Sequence, residues 1–278
     1  MTPKYLATSL LDTPTHQPIK AQQAAIAKSF SKAAISYDQA ASLQREVGLE
    51  LLQLLPKPIQ IQRWLDLGSG TGFFAGQLGR KYPQAQGWAL DLSPQMLAIS
   101  RHKYPQVEHL CADAAAPPLA TASLDLIFSN FALQWCPDLL AVLQQAKRLL
   151  KPGGLLVFSS VLQGSMQELS HSWQQVDGRS HINSFRTLNA YQQAITASGW
   201  QVQQLLTTTK VQYQPKVADI LRSLKQLGAN HLHQGRSSGL LARGSYQRLQ
   251  QAYAAYQQPQ GLPLSWHLLL TTLVKPNT

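Results

Sequence analysis

The stretch Trp64-Leu-Asp66-Leu-Gly68-Ser-Gly70-Thr-Gly72 constrains this chain more than any other. The apolar run Ile61 to Leu67 reads as a strand and Phe73 to Tyr82 as a helix, with three alternating glycines between them. Glycine adopts positive φ without penalty and lets a ligand approach the backbone. A glycine turn from strand to helix is the nucleotide-site architecture of doubly wound α/β folds. The spacing alone would equally suit a plain tight turn.

Asp66 narrows the ligand. It sits two residues before the first glycine, where a pyrophosphate would meet a negative charge. A ligand with a cationic amino group is held there instead. S-adenosylmethionine carries an amine and a sulfonium and no phosphate, so it is the expected cofactor. The alternative is a strand-end aspartate that caps the next helix.

Downstream, short apolar runs alternate with helical periodicity, which predicts an α/β fold: a doubly wound, seven-stranded, mostly parallel sheet. The further strands are expected at Gln86–Leu90, Val107–Cys111, Leu124–Ser129, Leu155–Ser160, Trp200–Tyr213 and Leu264–Val274. Helices are expected at Pro94–Lys103 behind an N-cap Ser93, at Leu139–Leu150 before a Lys151-Pro-Gly-Gly154 turn, and at Thr187–Ser198. Upstream, residues 21–55 read as helices. Ala24, Ala25, Ala27, Phe30, Ala33, Ala34, Ile35 and Tyr37 give a small-residue face, and Leu43, Val47, Leu51, Leu54 and Leu55 follow it. Gln163 to Phe185 has few periodic apolar positions and reads as irregular. Residues 215–260, with helices over Pro215–Gly228 and Ser245–Tyr256, are expected to form a helical lid inserted before the last strand. The core is then 21–214 plus 261–278, and the Thr- and Pro-rich residues 1–20 form a mobile tail.

Composition excludes little. No apolar run approaches the roughly 20 residues of a membrane span. The N-terminus lacks a basic start followed by an apolar stretch, and Cys111 and Cys136 have no CxxC spacing, so a reduced cytoplasm is the expected compartment. Twenty-four Lys and Arg against 13 Asp and Glu give a net charge of +11, which favours an anionic partner.

The other strand ends complete a ligand set. Asp91, 25 positions after Asp66, suits ribose hydroxyls. Asp113 can accept from an adenine amino group beside the Ala114 N–H, or it caps its own turn. Met96 packs either on the adenine face or in the core. Asn130 stands where the methyl-bearing end of the cofactor would face its acceptor. Together with Gly68, Gly70 and Gly72, these positions resemble the class I S-adenosylmethionine-dependent methyltransferases. In that class an aromatic residue of an N-terminal helix often closes over the cofactor, and Tyr37 is the candidate here.

A closer resemblance lies elsewhere in the chain. Phe128-Ser-Asn130 with Leu133-Gln-Trp135, then Gln163-Gly-Ser165, Glu168-Leu, Trp173, Val176-Asp177, Arg179 and His181, resemble the malonyl-ACP O-methyltransferases of biotin synthesis (the BioC family). So do Arg222-Ser-Leu-Lys225, Gly228-Ala-Asn-His231-Leu-His233-Gln-Gly235-Arg236 and Pro263-Leu-Ser-Trp266-His267. The resemblance spans roughly residues 25–275. It implies methylation of the free carboxylate of a malonyl thioester, on acyl carrier protein (ACP) or coenzyme A.

That acceptor is ionised at neutral pH, so no general base is required, and alignment alone can supply about 7–11 kcal/mol. Candidate partners for its carboxylate are Arg179, His181, Arg222 and Lys225. His231 and His233 have H-x-H spacing but no cysteine or carboxylate nearby in sequence, so no metal is expected. Acyl carrier proteins are acidic, which gives the basic surface a partner. From 201 to 278 Asp219 is the only acidic residue, against Lys210, Lys216, Arg222, Lys225, Arg236, Arg243 and Arg248 in or beside the insert. Arg236, Arg243 and Arg248 are the docking candidates.

Three other readings share these features. They are a methyltransferase for another small acid, quinone or polyketide intermediate, an RNA methyltransferase, and a non-catalytic S-adenosylmethionine-binding protein. The sequence carries no nucleic-acid-binding module or Asn-Pro-Pro-Tyr motif, and it has lost no ligand position. It leaves the oligomeric state and the choice between ACP and coenzyme A open.

Overall fold

A computed structural model describes residues 19–56, 60–179, 181–228 and 243–277. Two helices lead, α1 (Ile19–Ala40) and α2 (Ser42–Gln53). A regular alternation follows: β1 (Arg63–Leu67), α3 (Phe73–Lys81), β2 (Gln86–Asp91), α4 (Pro94–Lys103), β3 (Glu108–Cys111), β4 (Leu124–Ser129), α5 (Leu139–Leu149) and β5 (Leu150–Val161). The chain continues through α6 (Gln167–Asp177), α7 (Leu188–Ala197), β6 (Gln201–Gln214), α8 (Val217–Gln226), α9 (Arg243–Ala254) and β7 (Leu262–Val274).

The strands form one sheet in the order β3-β2-β1-β4-β5-β7-β6. The pairings from β3 to β5 are parallel, and β7 runs antiparallel between β5 and β6. The expected seven-stranded, mostly parallel, doubly wound sheet is what forms. Strand order reverses between β1 and β4, the place where open α/β sheets bind ligands.

Side chains alternate between the faces because the strand period is two. Trp64, Leu126, Phe128, Leu155 and Val157 pack on one face against α2 and α3 residues such as Val47, Leu51 and Leu78. Leu65, Leu67, Ile127, Leu156 and Phe158 pack on the other against Leu143 of α5 and Tyr191 of α7. Covering both faces explains why these strands read as continuous apolar runs. Helix starts follow local chemistry: Ser93 Oγ accepts from the Met96 N–H, Asp138 from Ala141 and Thr187 from Ala190.

Three expectations change. Helix α6 replaces the irregular reading of 163–185: its buried face mixes Leu169 and Trp173 with the polar Glu168 and Ser172, which masks the periodicity. Glu168 is buried because its carboxylate accepts from both the Ser265 N–H and hydroxyl. Strand β5 begins at Leu150, because Leu150 pairs with Leu124 and Lys151–Gly154 bulges out before Leu155 pairs with Leu126. The bulge is held by Gly153 N–H to Lys275 O and Lys275 N–H to Gly154 O. Ile35 is 91% exposed and faces away from the packed side of α1.

The β6–β7 ribbon outruns β5, which stops at the Val161–Leu268 pair. Its overhang carries α8 and α9 and is tied to α2 by Lys210, whose ammonium bonds Glu46 and Glu50 at 2.8 and 2.5 Å. No described helix is long and apolar enough to cross a membrane.

Candidate active site

Three cavities meet at Tyr37, at the carboxyl ends of β1, β2 and β4. The largest is a solvent-open cleft of about 830 Å³. Its floor includes Gly68, Gly70, Asp91, Met96, Asp113 and Asn130, and Gln23, Ile26, Ala27 and Phe30 of α1 roof it. Ala114 also lines it. A second space of about 400 Å³ lies under the glycine loop and contains Asp66 and Arg45. A third, of about 390 Å³, is walled by Phe131, Val161, Met166, Phe185, Leu227 and Trp266.

The loop is fixed by its backbone. Gly68 and Ser69 N–H groups donate to Leu90 O at 2.7 and 3.0 Å. The Gly70 N–H donates to Asp91 Oδ2 at 2.8 Å, and the Ser93 N–H to Asp91 Oδ1 at 2.8 Å. Burial pushes the Asp91 carboxyl up, and these backbone donors oppose the shift. Its second lone pairs stay available to ribose hydroxyls. Gly70 has φ +54°, and a Cβ there would project into open space at the cleft. Gly72 serves differently: a Cβ there would lie 2.1 Å from Ser100 Oγ, so this glycine lets α4 pack closely and does not line the three cavities.

Asp66 is 2% exposed. Burial pushes its carboxyl up to about 8, opposed by the Ala75 N–H and reinforced by Asp91. Among the described residues its Oδ2 has no hydrogen-bond partner. The Arg45 guanidinium lines the same space, and its Nε is likewise buried without a partner. A carboxylate oxygen left over on Asp66 and the Nε left over on Arg45, whose Nη2 already pairs with Asp38 at 3.3 Å, share one space and match the ammonium and carboxylate of a zwitterionic amino acid. That is the terminus S-adenosylmethionine presents, so the residues present fit the cofactor. Sequence reasoning missed Arg45 because it lies inside α2, outside any motif.

Helix α1 is bonded across the cleft. Gln23 Nε2 donates to Asp113 Oδ2 at 2.7 Å, Ser31 and Ser93 hydroxyls lie 2.8 Å apart, and Phe30 meets Trp135 edge-on at 5.3 Å. At its C-terminal end Asp38 accepts from Thr71 Oγ1 at 2.7 Å and pairs with Lys103 and Arg45. These partners hold the Asp38 carboxyl below its ordinary range despite partial burial. Tyr37 is thereby fixed beside the glycine loop. Burial, then Asp91 and Asp38, push its phenol far up, so it stays protonated. Asn130 is held at both ends: Nδ2 donates to Gln44 O at 2.9 Å, and Oδ1 accepts from Ser159 Oγ at 2.7 Å. The next residue, Phe131, has φ +52°, a strained conformation of the kind concentrated at ligand sites.

The four residues expected to meet an acceptor carboxylate line none of these three cavities. Arg179 and Lys225 are exposed. Arg222 pairs with Asp219 at 2.5 Å with 63% of its side chain exposed. His181 stacks on Trp173 at 3.9 Å and bonds Asp177. Arg243 and Arg248 are exposed on α9; Arg236, His231 and His233 lie outside the described residues. Among the described residues, no group of three or more His, Cys, Asp or Glu is placed to hold a metal. Both cysteines are free, and Cys136 lines the cleft, where burial pushes its thiol up to about 12.

Comparison with known proteins agrees with this geometry. Residues 65–158 match the family model described as a methyltransferase domain. A putative methyltransferase from Bacillus halodurans C-125 superposes with TM-score 0.60 at 15% identity, covering 82% of this chain and 98% of that one, which shows the fold. The biotin biosynthesis bifunctional protein BioHC of Cellvibrio japonicus is 39% identical over 90% of this chain, which spans half of that longer protein. The malonyl-[acyl-carrier protein] O-methyltransferase of Serratia marcescens is 42% identical over 244 residues, 88% of this chain and 92% of that one. Identity at that level over nearly the whole of the Serratia protein places this chain in the malonyl-[acyl-carrier protein] O-methyltransferase family.

Proposed function

We propose that this protein transfers the methyl group of S-adenosylmethionine to the free carboxylate of malonyl-ACP, giving the methyl ester, as an early step of biotin synthesis. The observation that carries the cofactor half is the pairing of unpartnered Asp66 Oδ2 and Arg45 Nε under the glycine loop. When bound, S-adenosylmethionine supplies an electrophilic methyl, to which the carboxylate oxygen gives a lone pair while the C–S pair returns to sulfur.

The chain's own task is to bind, orient and exclude water. Asp66 and Arg45 hold the amino-acid end, Asp91 the ribose, and Asp113 with the Ala114 N–H the adenine, with Met96 beside it and Gly68 and Gly70 giving backbone access. Asn130 and Tyr37 border the methyl. The acceptor enters the third cavity, whose wall includes Met166 and Phe185 from the 163–185 region and Leu227 after α8. This supports reading residues 215–260 as a lid over the acceptor. Among the described residues lining that cavity none is acidic or basic, so no general base is invoked, in keeping with an acceptor that arrives ionised.

The acidic carrier docks on the lid's basic face. Lys225, Arg243 and Arg248 are exposed there, with Arg236 between them in sequence, whereas Lys210 is already committed to Glu46 and Glu50. The test is incubation with methyl-labelled S-adenosylmethionine and, separately, malonyl-ACP, malonyl-coenzyme A or tRNA. Base-labile label on the malonyl carrier supports the reading, and label on tRNA alone overturns it.

A further inference from the structure

The third cavity poses a problem of charge. Its described lining is Phe30, Phe131, Trp135, Val161, Met166, Phe185, Leu227 and Trp266 together with Tyr37, Gln44 and Gln134, with no cation among them. A carboxylate drawn into such a space must still find donors. Two of the polar groups are spent. Gln134 donates to Phe131 O at 2.7 Å and accepts from Ser160, and Trp266 Nε1 donates to Gln212.

Two are not. Gln44 is 8% exposed and borders both the third cavity and the space under the loop, and its Oε1 is buried with no partner among the described residues. A half-turn of the amide presents Nε2 as a donor at the same place. Gln44 is also anchored, because its backbone carbonyl accepts from Asn130 Nδ2, the residue at the methyl end of the cleft. Tyr37 borders all three cavities, and no described residue hydrogen-bonds its hydroxyl.

We propose that the malonyl carboxylate is received where these cavities meet by two uncharged donors, the Tyr37 hydroxyl and the Gln44 side-chain amide, and that these residues select an acyl group ending in a carboxylate. The inference rests on the malonyl-thioester reading above. Uncharged donors suit the chemistry. A guanidinium would clamp both oxygens bidentately and draw electron density from the one that must attack, leaving it a poorer nucleophile. A phenol and an amide satisfy one oxygen and leave the other nucleophilic. Burial first, then Asp91, Asp38 and Asp66, raise the Tyr37 phenol against a lowering contribution from Arg45, so it stays a donor.

The experiment uses the full chain loaded with S-adenosylhomocysteine, so no methyl can move, and measures malonyl-ACP and acetyl-ACP binding by calorimetry. Acetyl-ACP offers the same carrier without the carboxylate. The wild type is expected to prefer malonyl-ACP, and Gln44→Leu and Tyr37→Phe are each expected to erase about 10- to 100-fold of that preference. Saturating S-adenosylhomocysteine keeps every variant loaded, so the malonyl-to-acetyl ratio reports the acceptor alone although Gln44 also borders the cofactor space. Gln44→Leu does not lower Tm, since the buried Oε1 it removes has no partner among the described residues. In turnover assays both variants lower kcat/KM for malonyl-ACP by a similar factor. A Gln44→Leu protein that keeps the wild-type malonyl-to-acetyl ratio overturns the inference while leaving the proposed function standing. A wild type that neither prefers nor methylates malonyl-ACP overturns both.

Discussion

Asp66→Asn should move stability and cofactor affinity in opposite directions. The carboxyl is 2% exposed, one oxygen is unpartnered, and burial lifts its pKa to about 8. A carboxyl whose folded pKa is raised binds its proton more tightly folded than unfolded. Its contribution is therefore fully present below about pH 3.9 and is lost as pH climbs through about 8. The full swing is on the order of 5 kcal/mol, and Asn removes it. At pH 8 the variant without cofactor should thus melt higher than wild type, by roughly 2–4 °C for each kcal/mol recovered. Cofactor binding should move the other way. Losing a charge-assisted hydrogen bond to the amine costs about 1.5–3 kcal/mol, or roughly 10- to 150-fold in Kd. Wild-type affinity should rise about tenfold per pH unit up to about pH 8, as Asp66 gives up its proton. The Asn variant should lack that slope. Calorimetric Kd from pH 6 to 8.5 and melting curves in the same buffers provide the assay. An Asn variant with wild-type affinity and slope, or with a lower Tm at pH 8, refutes the assignment.

Gly70→Ala and Gly72→Ala should separate by readout. The first places a methyl in open space beside the cleft and raises the cofactor Kd with about 1–2 kcal/mol of backbone strain, whereas the second collides with Ser100 Oγ and shows mainly as lost Tm. Asp38→Ala frees Thr71, Lys103 and Arg45 together, so cofactor KM should rise while the malonyl-ACP KM, measured at saturating cofactor, changes little. Arg243→Glu with Arg248→Glu should raise the malonyl-ACP KM severalfold at low salt, with the gap closing by about 0.5 M salt and cofactor Kd unchanged. An unchanged KM at low salt would remove the docking face from α9.

The sheet and the cofactor loop were legible because their determinants are local. Apolar runs ending in Asp66, Asp91, Asp113 and Asn130 mark strand ends, and Ser93 with Pro94 marks a helix start. Arg45, Gln44, Gln23 and Asp38 were not legible. They sit on α1 and α2, and their meaning arises only when those helices dock across the sheet edge, which no spacing in the chain records. Helix α6 was hidden for a related reason: Glu168 looks like a surface residue until Ser265, 97 positions later, satisfies its carboxylate. The basic residues are a different case. Arg179, Arg222 and Lys225 carry the right charge for a carboxylate, but they are exposed to solvent, and the third cavity is lined without them.

If the loop cavity holds the methyl donor and the apolar third cavity admits an acyl carboxylate, the methyl must end on a carboxylate oxygen as an ester. Intact-mass analysis of malonyl-ACP and acetyl-ACP, each incubated with S-adenosylmethionine and this protein, tests it most directly. The expected result is a one-methyl gain on malonyl-ACP alone, removed by mild base as an ester must be. A base-stable gain, a gain on acetyl-ACP, or no gain on either would contradict it.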